Sequence, residues 1–230
     1  MSLRAKQSNP QPIIKLPSPQ LKGKVSVEEA IAKRRSVRRY RSEPLSLSQL
    51  SQVLWAAQGI TGVGKLRAAP SAGATYPLEN FVVIGKQAVE KLQAGIYHYE
   101  VDSHSLRLHL AGDLRLDLAR AALDQGFIAE APVDIVICAI YPRTSYTYGR
   151  RGERYVHMEV GHVGENIHLQ AVALGLATAE IGAFDDEEVR KVLGLATVEV
   201  GAFDDEEVRK VLGLEEQIKP LYIMPIGKPL

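Results

Sequence analysis

The chain has 230 residues, 46% hydrophobic and 24% charged, with 28 Lys and Arg against 27 Asp and Glu for a formal net charge of +1. This composition excludes a wholly disordered chain, a collagen and a disulfide-stapled miniprotein, and it leaves no global field for nucleic acid. The lone Cys138 cannot form an internal disulfide, the apolar run 131–142 is too short to span a bilayer, and the polar start lacks a signal-peptide core. The default expectation is a cytoplasmic protein that contacts neither membrane nor nucleic acid.

Residues 1–25 read as an extended arm, because Pro10, Pro12, Pro17 and Pro19 deny it a helix. Its apolar strip Ile13, Ile14 and Leu16 should lie against something, a second subunit among the options. From residue 26 onward a single domain is expected. Ser26 and Glu29 form a capping box opening a helix with Val27, Ala30 and Ile31 as its buried face. Ser46 and Gln49 form a second box, followed by Leu47, Leu50, Val53, Leu54 and Ala57 at helical spacing, with Gly59 at C′. Residues 59–77 are loop-like. Asn80–Ile84 reads as a buried strand, Gly95–Tyr99 and Ser105–Leu110 as a hairpin, 114–123 as helix and Val133–Ile140 as a central strand. Tyr141–Tyr155 reads as a long polar loop, Val156–Leu174 as a long buried helix and Leu221–Ile226 as the last strand. The class is α+β with a mainly antiparallel or mixed sheet.

Residues 177–195 and 196–214 are a tandem duplication, differing only at Ala179 against Val198 and Ile181 against Val200. Each copy is one strand and one helix, N-capped by Asp185 or Asp204, with Glu188 or Glu207 closing the box and Gly194 or Gly213 at C′. A sheet offers one slot for that strand. The extra β-branched residue of Val198 and Val200 favours the second copy for it.

Three segments carry candidate chemistry. Arg34, Arg35, Ser36 and Arg38 directly follow the first helix, and forked guanidinium groups with a hydroxyl suit phosphate oxygens. A nucleic-acid patch, a solvated face and a sorting signal are the rival readings. PSAGATYP, from Pro70 to Pro77, lets backbone approach a flat ligand, or is only a surface loop. IGAFDD and its duplicate VGAFDD place free N–H groups before a helix, or make only a strand-to-helix turn. The spacing of His157, His162 and His168 does not suit a metal, and none is expected. Cys138 reads as a small core residue. No hydrolase, Walker or dinucleotide-binding motif is present.

In this order, KRRSVRRY, LWAAQGITG, RAAPSAGATYPLENFVV, YGRRGERYVHMEVGHVGENIHLQAVALGL, GAFDDEEVRKVLGL and PLYIMPIGKP resemble the nitroreductase family, and within it the SagB-type dehydrogenases. The resemblance spans about residues 15–230. It implies a homodimer with two FMN molecules at its interface and the long helix there too. It assigns Arg34, Arg35, Ser36 and Arg38 to the flavin phosphate and pyrimidine edge. It also assigns Pro70, Ser71, Ala72, Gly73 and Ala74, and the turn Gly201 and Ala202, or Gly182 and Ala183, to the ring. The terminal GKP adds Lys228. Glu165 stands where the branch often has glutamine. The implied activity is hydride transfer from NAD(P)H through FMN to a small organic acceptor such as a nitroaromatic or quinone. The alternatives are oxidation of azoline rings in a modified peptide and a flavin- or nucleotide-binding protein without turnover. Arg38 is the candidate cation at the flavin N1/O2 edge, and Gly201 or Ala202 the donor at N5.

Overall fold

The structure is a computed structural model, and it describes residues 13–195 and 218–230. Among the described residues, β1 (Ile13–Lys15), β2 (Leu78–Ile84), β3 (Gly95–Glu100), β4 (Ser105–Ala111), β5 (Val133–Ile140), β6 (Ala177–Thr178) and β7 (Ile218–Gly227) form one sheet. Its order is β1-β4-β3-β2-β5-β7-β6. Every pairing between these strands is antiparallel.

The β-branched run of β5 explains its central place, with all eight residues buried between β2 and β7. Successive side chains of a strand point to opposite faces. Val133, Ile135, Ile137 and Ala139 therefore join one core with α2 (Leu47–Gln58) and α6 (Arg151–Ala173), through Leu50, Val53, Leu54, Val156, Val160 and Val163. Val136, Cys138 and Ile140 join the other with α3 (Arg115–Ala121), α4 (Phe127–Glu130) and α7 (Asp186–Val192). Asp134 interrupts this pattern: it is fully buried, and desolvation pushes its carboxyl well above the usual carboxylate range.

Several expectations need correction. The apolar strip of the arm lies on the chain's own sheet, where β1 pairs with β4 and Leu16 is buried. Residues 1–12 of the arm lie outside the described residues. In α1 (Val27–Lys33) only Ala30 is buried; Val27 and Ile31 are 64% and 56% exposed. Residues 141–155 are helical, as α5 (Pro142–Tyr148) and the first turn of α6. Pro142 at the first turn starts α5 and Gly149 at φ +55 ends it, so caps rather than apolar spacing define this element. Gly59 is not left-handed but has φ −60, and it is small because a Cβ there would strike the Trp55 ring.

Of the expected capping boxes on described helices, only Ser46 with Gln49 closes on both sides. Ser26 and Asp185 do accept from the N3 amides, but Glu29 and Glu188 turn away to Lys33 and Lys191, each at 2.6 Å. A lysine one turn on competes for the carboxylate.

The first copy of the duplication occupies the sheet slot expected for the second. Ala177 and Thr178 pair with Gly227 and Ile226, and Ile181 exchanges hydrogen bonds with Ile223 at 3.0 Å. Ala179 and Ile181 are both buried in the second core, so the slot is filled despite the weaker strand propensity of this copy. Residues 196–214 lie outside the described residues.

Candidate functional site

The chain leaves α1 at Arg34, whose ψ of 124° turns it into an extended run. Ser36 forms a parallel bridge with Thr178, and the Val37 N–H donates to the Thr178 carbonyl at 2.9 Å. Val37 packs inward with Tyr40, Ala131 and Ala177. Arg35, Ser36 and Arg38 are left exposed. Arg35 Nη1 donates to the Ala32 and Arg34 carbonyls, where the end of a helix favours a cation. Arg38 lies 5.8 Å from the Phe127 ring centre. Arg34 is partly exposed, with Nε 3.9 Å from Glu165 Oε2. Among the described residues, Arg35 and Arg38 meet no carboxylate. The donor set therefore fits a phosphate: guanidinium groups held by backbone geometry and open to an outside anion. A cavity of about 220 Å³ opens beside them, lined by Arg35, Val37, His168, Ala177 and Thr178. Burial, with Arg34 nearby, pulls His168 down to about 4, so the cavity wall is neutral there.

Lys228 does not join this cluster. Its Nζ is 2.6 Å from Glu43 Oε2, and the pair holds Glu43 below its ordinary value. A carboxylate so placed satisfies the lysine within the chain.

The first-copy turn sits at the same edge of the sheet as the basic run. Gly182 and Ala183 are exposed, directly after the Ile181–Ile223 bridge. Gln125 Nε2 donates to the Ala183 carbonyl at 2.9 Å, and Asp185 then caps α7. Among the described residues, a Cβ at Gly182 would touch only the Tyr222 ring, at 3.5 Å, which leaves the outer side of the turn open to them. Gly201 and Ala202 lie outside the described residues.

The loop 70–74 lies elsewhere. Gly73, Ala74 and Tyr76 have φ of +59, +52 and +45. A Cβ on Gly73 would come 2.6 Å from the Tyr148 hydroxyl, so glycine is required by conformation and by space. Ser71 Oγ accepts from the Tyr76 N–H at 3.0 Å, and Thr75 Oγ1 pairs with Thr144 Oγ1 at 2.8 Å. Pro70, Gly73 and Ala74 are exposed; Ser71 and Ala72 are half-buried.

Beneath this loop is a polar group the motifs did not point to. Glu159 of α6 is 3% exposed. Burial pushes its carboxyl up to about 7, against the opposing pull of the Ser71 hydroxyl, Arg67 and the Gln58 side chain. Arg67 Nη1 donates to Gln58 Oε1 at 2.8 Å and its guanidinium lies 4.4 Å from the Tyr76 ring centre. Glu159 Oε1 and Gln58 Nε2 are buried without a hydrogen-bond partner among the described residues. The available signal was periodicity: Glu159 falls in the apolar stripe Val156, Val160, Val163 and Ile167.

Arg34 thus meets α6 at Glu165 and Ser71 meets it at Glu159, six residues earlier. At 1.5 Å and 100° per residue, the contacts are about 9 Å apart along the axis and on different sides of the helix. One chain does not bring the basic segment and the loop onto a common face. Among the described residues, no three His, Cys, Asp or Glu side chains gather as a metal site, and no helix is long and apolar enough to cross a membrane.

A protein of Methanocaldococcus jannaschii provisionally named a nitroreductase, MJ1384, is 48% identical over 169 residues, 74% of this chain and 84% of that one. The microcin B17-processing protein McbC of Escherichia coli is 29% identical over 127 residues, 54% of this chain and 47% of McbC, so the match spans about half of that protein. A crystal structure provisionally assigned as a nitroreductase, from Ralstonia eutropha JMP134, superposes with a TM-score of 0.75 at 25% identity, covering 96% of this chain and 95% of that one. The model of the nitroreductase family matches residues 31–200. With that match over most of its length and a close relative along it, the chain belongs to the nitroreductase family.

Proposed function

We propose that the protein is an FMN-dependent oxidoreductase that takes hydride from NAD(P)H and passes it to a small organic acceptor such as a nitroaromatic or quinone. The observation that carries this reading is the exposed pair Arg35 and Arg38, without carboxylate partners among the described residues and on the same sheet edge as the open turn Gly182–Ala183. Arg34, Arg35 and Ser36 would hold the phosphate and Arg38 the pyrimidine edge, while amides of the turn would face N5. Bound flavin supplies the two-electron chemistry, and the protein supplies position and electrostatics. Lys228, engaged by Glu43, is left out of this set.

The reading includes a homodimer. The loop 70–74 and the basic segment sit on different sides of α6, so a second copy is the simplest source of a loop for the first copy's ligand. Exposed Val27, Ile31 and Met158 offer apolar surface for it to cover. A cytoplasmic location goes with this proposal.

Mass spectrometry of the cofactor released from native protein tests the reading. FMN is expected; FAD, or no flavin, overturns it. Bleaching of the yellow protein by NAD(P)H then separates turnover from binding alone. Light scattering showing a stable flavin-loaded monomer would refute the dimer. The match to McbC favours a second reading, a SagB-type dehydrogenase that oxidises azoline rings in a modified peptide. Oxidation of an azoline-bearing peptide in place of a quinone reduction would select it.

A further inference from the structure

We propose that a cavity beside the 70–76 loop is a monocarboxylate site, in which the guanidinium groups of Arg67 and Arg143 hold the carboxylate of an organic acceptor. The site stands on its own geometry. Only the identity of its occupant as an acceptor rests on the oxidoreductase reading.

The cavity holds about 400 Å³, within the range of small-molecule sites. Arg67 and Tyr76 line it from the loop region, Glu79 and His98 from the sheet and Arg143 from α5. Glu100 and Asp102, where β3 turns toward β4, complete its charged lining.

The charges of this lining do not cancel. Each carboxylate already has a basic partner. Glu79 has Arg143 at 2.5 Å and His98 at 2.7 Å, Glu100 has His98 at 3.1 Å and also Arg107, and Asp102 has Lys65 at 2.7 Å. Arg67 is different. It forms no ion pair with a described carboxylate; its Nη1 donates to the neutral Gln58 amide at 2.8 Å, and its guanidinium lies 4.4 Å from the Tyr76 ring centre. With Lys65 and Arg107 included, four lysine and arginine side chains face three carboxylates, an excess of one positive charge. That excess falls on a half-buried group, where charge is costly without a counter-ion.

Tyr76 brings the second guanidinium to the first. Arg143 Nη1 donates to the Tyr76 carbonyl at 3.1 Å, so both arginines flank one residue. A guanidinium carries five N–H donors, and on each arginine the engaged Nη1 leaves Nε and Nη2 to donate. The Tyr76 hydroxyl accepts the Arg67 backbone N–H at 3.3 Å and keeps its own O–H for a ligand. A planar carboxylate matches guanidinium forks, and its single negative charge equals the excess. A phosphate dianion would overshoot it beside three carboxylates. Tyr76, Tyr99 and Val101 add apolar surface to the lining, which suits an aryl body behind the carboxylate.

The test titrates the full-length protein with benzoate in a calorimeter, with benzamide and inorganic phosphate as the other arms. Benzoate should bind saturably, benzamide should not, and phosphate should bind more weakly than benzoate. Arg67→Gln should weaken benzoate about tenfold or more, and Arg67→Lys should recover part of the loss. Arg143→Gln, at an exposed position, should weaken it about three- to tenfold and serves if the Arg67 variants fail to fold. Absence of saturable binding at millimolar benzoate, phosphate binding the tighter, or benzoate affinity unmoved in both Gln variants overturns the site. Turnover reads the acceptor's part. The ratio of kcat/KM for 4-nitrobenzoate over 4-nitrobenzamide should exceed about ten in wild type and fall toward one in Arg67→Gln. A ratio near one in a flavin-loaded wild type overturns the assignment of the occupant as acceptor. Failure to take up flavin sinks the oxidoreductase reading instead, and the benzoate titration still decides the site.

Discussion

Two polar regions touch α6, and they are built on opposite terms. The run Arg34–Arg38 is largely exposed, and its charges stay in water while the Val37 N–H bond to Thr178 and the Arg35 side-chain bond to the Ala32 carbonyl hold it in place. The group Gln58, Arg67, Ser71 and Glu159 is covered by the loop 70–76. Its carboxylate is costly to ionise, as its raised titration shows. The first region responds to an anion and to salt, because exposed charge is screened. The second responds to pH, because burial moves proton equilibria into the neutral range.

That division can be broken from either side. The largest effect is expected for Arg34→Ala. Loss of one charge-assisted bond, worth about 1.5–3 kcal/mol, should weaken FMN binding about ten- to hundredfold in calorimetry, with the deficit shrinking in high salt. An unchanged dissociation constant removes Arg34 from the site. Next, Gly73→Ala places a methyl against the Tyr148 hydroxyl at φ +59, and urea denaturation should show a loss of about 1–3 kcal/mol.

Glu159→Gln should act in the other direction. The folded carboxyl titrates at about 7 against 4.5 for the free side chain, so ionisation destabilises the native state as pH rises through that window. Below 4.5 the acid is protonated in both states and the effect vanishes. The variant should therefore match wild type near pH 4 and exceed it by about 3 kcal/mol at pH 8. Equal stability at both pH values would mean Glu159 is not desolvated in the folded chain. The smallest effect is expected for Glu165→Gln. It removes the carboxylate 3.9 Å from Arg34, and an exposed pair is worth up to about 1 kcal/mol, so FMN affinity should rise two- to fivefold at most. A weaker affinity would show that Glu165 orients Arg34 instead of competing with it.

The exposed region was legible because its signal is local. Three arginines and a serine within five residues after a capped helix suit a phosphate, which is the basis of the proposal, and the β-branched run of β5 marks a central strand. Glu159 was not legible as chemistry, since it becomes a buried acid only when Ser71 and Arg67 are folded over it. The partner of Lys228 was not legible for a similar reason: Glu43 is distant in sequence and adjacent in space. The segment 141–155 hid two helical stretches because caps, not apolar periodicity, define them. The fold class needs only patterning, whereas a buried polar group needs its tertiary neighbours.

The duplicated strand–helix unit makes this sheet redundant at one position. Excising 177–195 or 196–214 yields chains that differ only in carrying Val198 and Val200 or Ala179 and Ile181. Ala179 and Ile181 are both buried, so the two excisions compare side-chain volume and strand propensity at two core positions. In the intact chain α6 ends, Gly175 turns at φ +68, and β6 begins two residues later. That short connection ties the first copy to the slot. Seating the second copy would lengthen the same connection by 19 residues, at about 1–2 kcal/mol of closure entropy. Selection between two nearly identical occupants therefore falls largely to chain connectivity. In sequence the unit in the slot is nearly interchangeable with its duplicate, so connectivity rather than side-chain content gives the first copy its advantage.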